Sequence, residues 1–301
     1  MNLKIKTRTV TRLVRWQIAN KKKKEKIRTQ ILSYSIYKNE KGKKTRVDCY
    51  EPKKKPIGTY FLTPGLHPLG VNHPEIKEMC IMLASLGYSV YAPDLEDYRQ
   101  VSISSATYLE YASFFDFCRA HSSSKGLYEK FNIFSISFGS VVSLQLAGDL
   151  ERRSHVNSLI IFGGIGNWKT TADHIVDKAL FGSLQEGYGD ITTLPAIFSL
   201  LLEYSDEITE ELARKKIKAC WLDYMKICWP DESYRDRSKC LDLAQKISKK
   251  LSPREKIFFM KGCGLEEGAH QLYQELFSKG SFDYLDPLIN ASQITCGVYL
   301  L

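Results

Sequence analysis

The stretch FNIFSISFGSVVSLQL, residues 131–146, decides the fold that this sequence predicts. A short apolar run before Ser137 predicts a β-strand, and the apolar spacing after Gly139 predicts an α-helix. Ser137 stands between them with small residues on both sides, Ser135 and Gly139. A strand, a sharp turn and a helix with a serine at the apex are typical of a nucleophile elbow, here as S-x-S-x-G. The alternative is an ordinary β-to-α turn.

The composition indicates a globular chain. Its 301 residues are 44% hydrophobic and 26% charged, enough to bury one large core. The sequence has no apolar run of about 18 residues and no secretory signal, so we predict neither a membrane-spanning helix nor secretion. The eight cysteines form no C-x-x-C pair, which favours reduced, buried thiols over disulfides or zinc. We therefore expect a cytoplasmic protein that needs no metal and no cofactor.

Basic residues concentrate at the N-terminus. Residues 1–55 contain 19 of the 43 Lys and Arg and 4 of the 34 Asp and Glu, a net charge of +15, so the remaining chain carries −6. We interpret residues 1–28 as a basic arm with a short amphipathic helix. One alternative places this helix on an anionic membrane surface, giving the protein peripheral membrane contact. The other is a solvated helix that packs on the body. The lysines lack interleaved aromatic residues, so nucleic-acid binding is not expected.

Residues 29–301 are predicted to form one domain in which strands and helices alternate. Two strands joined by a turn begin it, a third strand ends before Pro64, and three β-α-β repeats follow up to Gly163. Such repeats require a parallel sheet. A helical insertion follows at about 165–250. A strand at 256–260, a helix at about 266–278 and a last strand at 295–301 are expected after it.

This order, with the elbow, resembles the α/β-hydrolase fold over roughly residues 30–301. The resemblance implies an α/β protein with a mostly parallel central sheet, an N-terminal antiparallel hairpin and helices on both faces. It also implies that the insertion at 165–250 is a helical cap. Large apolar and aromatic residues are frequent in that insertion. They could line a hydrophobic acyl site or form the core of the cap, and both interpretations stay open.

The resemblance also implies which residues carry the chemistry. Ser137 is the expected nucleophile, and the backbone N–H of Phe138 is an expected oxyanion donor. A second donor is expected from the N–H of Leu66 or Gly65, in the loop after the third strand. His67 in the same loop is expected to contact the substrate, with the role of general base as an alternative.

The acid and the base of the catalytic triad are harder to identify. The order Ser, acid, His places the acid after the strand predicted at 256–260, where Glu266 is the first candidate and Glu267 the second. The histidine is expected after the last strand, and none of the six histidines lies there. His270, close to the predicted acid, and His67 are the candidates for the base.

The sequence thus favours a serine hydrolase that acts on a carboxylic ester or similar, lipid-like acyl compound through an acyl-enzyme. The expected partner is therefore a small-molecule acyl substrate. The alternative is a catalytically inactive or C-terminally truncated hydrolase-fold protein, since no histidine follows the last strand. The sequence does not determine the oligomeric state.

Overall fold

The computed structural model describes residues 28–36, 43–182, 190–287 and 289–301, with side chains from residue 45 onward in these ranges. Apart from Arg28, the predicted basic arm lies outside the described residues. Within them, no helix is long and apolar enough to cross a membrane.

Seven strands form one sheet in the order β1-β2-β4-β3-β5-β6-β7. The β1–β2 and β2–β4 pairs are antiparallel, and the other four pairs are parallel. The mostly parallel sheet with an N-terminal hairpin is therefore confirmed, and so is the last strand. The strands are β1 (Arg28–Ile36), β2 (Lys43–Glu51), β3 (Thr59–Thr63), β4 (Ser89–Pro93), β5 (Phe131–Ile136), β6 (Val156–Phe162) and β7 (Gly297–Leu300).

Ten α-helices occur among the described residues. They are α1 (Pro74–Ser85), α2 (Glu96–Arg99), α3 (Ser105–Ser124), α4 (Gly139–Gly148), α5 (Trp168–Phe181), α6 (Leu194–Leu201), α7 (Glu211–Cys228), α8 (Arg237–Ile247), α9 (Pro253–Gly262) and α10 (Ala269–Lys279).

Helices cover both faces of the sheet, as the alternation of residues along β3 shows. Leu62 belongs to a buried cluster with Val90 of β4 and with apolar residues of α1. Its neighbour Phe61 points to the opposite face, since successive side chains of a strand alternate. There its ring lies 5.3 Å from the ring of Tyr111 and 5.5 Å from that of Phe115, both on α3. The predicted α/β arrangement with helices on both faces of the sheet is confirmed.

Contacts divide the chain into two compact units. Among the described residues, the sheet unit contains 28–36, 43–96, 104–165, 287 and 289–301, and the helical unit contains 97–103, 166–182 and 190–286. The predicted insertion was expected to end at about 250, whereas the helical unit continues to residue 286. The cause is the segment after 250, which adds helices rather than a sheet strand.

The strand expected at 256–260 is wrong, because these residues lie in α9. Ser252 and Glu255 form a capping box and Pro253 occupies the first turn, which together start a helix. Phe258 and Phe259 are fully buried in the helical unit, with rings 6.1 and 6.4 Å from Trp221. A five-residue apolar run does not by itself distinguish a strand from a buried helix.

Most of the large aromatic residues of the helical unit form its core. The side chains of Trp168, Phe198, Trp221 and Tyr224 are at most 3% exposed. Of the two interpretations left open by the sequence, the structure supports a core role for these four. Phe181, in contrast, is 66% exposed at the end of α5.

Candidate active site

Ser137 occupies the turn between β5 and α4 in the conformation that a nucleophile elbow requires. Its φ angle is +49°, which few residues other than glycine adopt. The N–H of Ser137 donates to the carbonyl of Phe162 at 2.9 Å, and its own carbonyl accepts from Ser140. A strained backbone of this kind costs on the order of 1–2 kcal/mol and persists only where surrounding contacts impose it. The exposed Ser137 side chain is thus held at the carboxyl end of β5.

Gly139 allows the turn to be this tight. A Cβ atom at Gly139 would lie 2.7 Å from the carbonyl oxygen of Pro64 and 2.9 Å from that of Thr63. Both are backbone atoms at the end of β3, so neither can move aside cheaply. The small residue of the motif is therefore required by close packing of the elbow against the neighbouring strand.

A buried set of three hydroxyl groups fixes the end of β3 behind the elbow. Thr63 Oγ1 lies 2.5 Å from the hydroxyl of Tyr111 and 3.1 Å from Ser143 Oγ, and the last two lie 2.9 Å apart. All three residues are fully buried, so each hydroxyl depends on the other two for hydrogen bonds. This triangle ties β3, α3 and α4 together one residue before the loop that begins at Pro64.

That loop brings backbone amides close to Ser137. A Cβ built on Gly65 would be 3.3 Å from the Cβ of Ser137, so the two residues are adjacent. In the described part of the chain, the N–H groups of Gly65 and Leu66 donate no hydrogen bond. The N–H of Phe138 lies at the start of α4, where helix amides carry partial positive charge. Gly65 and Phe138 therefore both lie next to the serine, and their N–H groups are the candidates for stabilising an oxyanion.

His67, in the same loop, is arranged as a hydrogen-bond donor. Its Nδ1 accepts the backbone N–H of Leu69 at 3.0 Å, which places the proton of the neutral ring on Nε2. Burial, and secondarily the neighbouring His73 ring 4.6 Å away, lowers the pKa of His67 to about 4. A neutral imidazole with Nε2–H can polarise a carbonyl but does not accept a proton at that atom. Of the two roles open for His67, substrate contact fits this geometry better than general base.

Stability at low pH is expected to depend on His67. Because its pKa is lowered on folding, the unfolded chain binds the proton more tightly, and stability is lost as the pH falls from about 6.5 towards 4. The full loss amounts to about 3 kcal/mol, and partial exposure of the ring reduces it. His67→Asn keeps an acceptor for the Leu69 N–H but does not titrate. Between pH 7.5 and pH 4.5, urea unfolding should show a smaller loss of unfolding free energy for this variant than for the wild type. Equal losses would show that His67 does not cause the pH dependence.

The structure does not pair Glu266 with His270. Both belong to the helical unit, whereas Ser137 belongs to the sheet unit. Glu266 is exposed in the turn between α9 and α10, and within the described residues it makes no hydrogen bond to His270. His270 Nε2 instead lies 3.3 Å from Asp177 Oδ1 on α5. Sequence reasoning missed Asp177 because 93 residues separate it from His270 and no pattern predicted that α5 and α10 would pack together.

In the described part of the sheet unit, no base is hydrogen-bonded to Ser137, the predicted nucleophile. Within the described residues of that unit, the hydroxyl of Ser137 makes no hydrogen bond to a histidine. The described residues also contain no group of three or more His, Cys, Asp or Glu arranged to hold a metal ion. All eight cysteines are free, and seven of them are buried.

No protein-family model matches the chain, and no curated protein is similar to it in sequence. Among solved structures, the chain is similar to a dienelactone hydrolase from Anabaena variabilis, with 17% identity over 46% of this chain and 65% of that one and a TM-score of 0.39. It is also similar to brefeldin A esterase, a bacterial homologue of human hormone sensitive lipase. The identity is 14% over 60% of this chain and 56% of that one, and the TM-score is 0.43. A third similar structure is that of a thermostable carboxyl esterase from Bacillus coagulans. Its identity is 14% over 92% of this chain and 90% of that one, and the TM-score is 0.42.

This chain covers less than two thirds of the dienelactone hydrolase and of the brefeldin A esterase. Since all three TM-scores are below 0.5, the description of the fold rests on the strand order and the elbow themselves.

Proposed function

We propose that the protein is a serine hydrolase that cleaves a carboxylic ester or a similar acyl compound through an acyl-enzyme. The observation that carries the proposal is Ser137, held at φ +49° next to Gly65 in the loop after β3. The strained backbone of this turn costs folding free energy, and such strain is common at active sites. An ordinary β-to-α turn needs no such strain.

In this proposal, Ser137 Oγ attacks the acyl carbonyl carbon, and the N–H of Phe138 with that of Gly65 or Leu66 stabilises the oxyanion. Each such donor is worth about 3–4 kcal/mol in enzymes where it has been measured. The alcohol then leaves, and water hydrolyses the acyl-enzyme. His67, in the loop beside Ser137, is the residue that would contact the substrate. Glu266 and His270 as acid and base stay a prediction, and Asp177 is now the carboxylate that contacts the histidine.

The test is covalent labelling with a fluorophosphonate probe, whose phosphorus the serine oxygen attacks as fluoride leaves. The wild-type chain should be labelled once, and Ser137→Ala should reduce labelling by about 100-fold or more, since an activated serine is the reacting group. Ser123→Ala, which removes an exposed hydroxyl from α3 of the same unit, should label like the wild type. Labelling that is absent in the wild type, or unchanged in Ser137→Ala, would contradict the proposal and favour a non-catalytic hydrolase-fold protein.

The same probe tests the base. If His270 takes the proton of Ser137, His270→Ala should slow labelling by about 100-fold, the usual contribution of a general base. Glu266→Gln should have a smaller effect because, among the described residues, Glu266 makes no hydrogen bond to the histidine. A labelling rate unchanged in His270→Ala would remove His270 from the mechanism while leaving Ser137 in place.

A further inference from the structure

An open groove runs between two helices of the helical unit, α5 and α10. Its volume is about 810 Å³, within the range of small-molecule sites. On α5 the groove is lined by residues four apart, which lie on one face of the helix. On α10 the lining residues follow the same helical spacing. The lining consists of Lys169, Asp173, Asp177 and Phe181 on α5, and of His270, Tyr273, Gln274, Phe277 and Ser278 on α10.

One end of the groove already holds an ammonium group, that of Lys169. Its Nζ lies 2.7 Å from Asp173 Oδ2 and 5.6 Å from the centroid of the Phe277 ring. The hydroxyl of Tyr273 donates to the other oxygen of Asp173 at 2.7 Å. A carboxylate and an aromatic ring therefore bind this cation, and a polar aromatic residue from α10 holds the carboxylate.

The other end repeats the same three groups. Asp177 takes the place of Asp173, Phe181 provides the aromatic ring, and His270 is the polar aromatic residue from α10. His270 Nε2 lies 3.3 Å from Asp177 Oδ1, and its ring meets that of Phe181 at 5.1 Å in a T-shaped contact. Asp177 is 59% exposed and Phe181 66% exposed. In the described part of the chain, no lysine or arginine forms an ion pair with Asp177.

We propose that this second end binds an organic ammonium ion. The cation would lie between the Asp177 carboxylate and the Phe181 ring, as Lys169 lies between Asp173 and Phe277. The carboxylate and the ring both line the groove. The His270 ring already contacts both of them, so the cation would use the parts that stay exposed. An alkyl substituent on the nitrogen would extend along the apolar part of the groove. His270 is also the candidate base of the proposed reaction, so cation binding is measured by titration and does not depend on the labelling of Ser137.

The test uses choline as the cation and 3,3-dimethylbutan-1-ol as its neutral isostere, titrated into the full-length chain by calorimetry. Choline should bind at least about 10-fold more tightly than the alcohol, because only the cation gains the carboxylate and the ring. Asp177→Asn should reduce choline affinity about 10-fold, and Phe181→Leu should reduce it several-fold, with little change for the alcohol.

The control is Glu211→Gln, which removes an exposed carboxylate from α7 and should leave choline binding unchanged. Equal concentrations of sodium chloride in every titration remove the effect of ionic strength. Both Asp177→Asn and Phe181→Leu alter exposed side chains, so their melting temperatures should equal that of the wild type. Absence of choline binding at about 50 mM, or binding that Asp177→Asn and Glu211→Gln weaken equally, would overturn the proposal.

Discussion

Replacing Gly139 by alanine is expected to destabilise the protein by about 2–3 kcal/mol, as overpacking does where neighbours cannot yield. The new methyl group would meet two backbone carbonyl oxygens at 2.7 and 2.9 Å, both at the end of β3. Alanine gains up to about 1 kcal/mol over glycine in a helix, which offsets only part of this clash. Urea unfolding monitored by circular dichroism measures the difference.

The same substitution is expected to reduce fluorophosphonate labelling far more than it reduces the folded fraction. Relief of the clash moves the end of β3 away from α4, and the Gly65 and Leu66 amides move with it. Gly166→Ala is the matched control, because a Cβ at Gly166 meets no atom within 4 Å. That variant should keep both stability and labelling. A Gly139→Ala protein with wild-type stability would show that the elbow is looser than its contacts indicate.

The elbow could be predicted because two signals coincide in consecutive residues. The change from strand to helix spacing locates the turn, and the small residues around Ser137 specify how tight it is. The parallel sheet could also be predicted, because strands that alternate with helices along the chain pair in parallel. The positive φ of Ser137 then follows from the local geometry, which the sequence encodes within about ten residues.

The contacts of the predicted acid and base could not be predicted, because they depend on packing between distant helices. Glu266 was chosen from its position after a strand, and that strand is the helix α9. The contact between His270 and Asp177 arises from the packing of α5 against α10, which their separate helical patterns do not specify. The tautomer of His67 also could not be predicted from the sequence. Its position in the loop was clear, but its tautomer depends on the hydrogen bond from Leu69.

Replacing Trp221 by alanine is expected to destabilise the helical unit by about 3–5 kcal/mol, the range for buried aromatic truncations. Trp221 is fully buried on α7, and its Nε1–H donates to the carbonyl of Phe259 at 3.1 Å. The indole contacts rings from α6 and α9, so its removal leaves a cavity where three helices meet. Leu212→Ala on the exposed side of α7 is the control and should change stability by less than about 0.5 kcal/mol.

A substitution at Gly262 tests whether this cavity causes the destabilisation of Trp221→Ala. A Cβ on Gly262 would lie 2.2 Å from Cζ2 of Trp221, so Gly262→Ala should be destabilising by about 1–3 kcal/mol in the wild-type background. In the Trp221→Ala background the same methyl group enters empty space, and its cost should disappear. A double-mutant cycle in urea should therefore give a coupling of at least about 1 kcal/mol, because the two sites are in contact. Additive effects would mean that Trp221 does not occupy the space beside Gly262, and the packing of α7 against α9 would then differ from the one described.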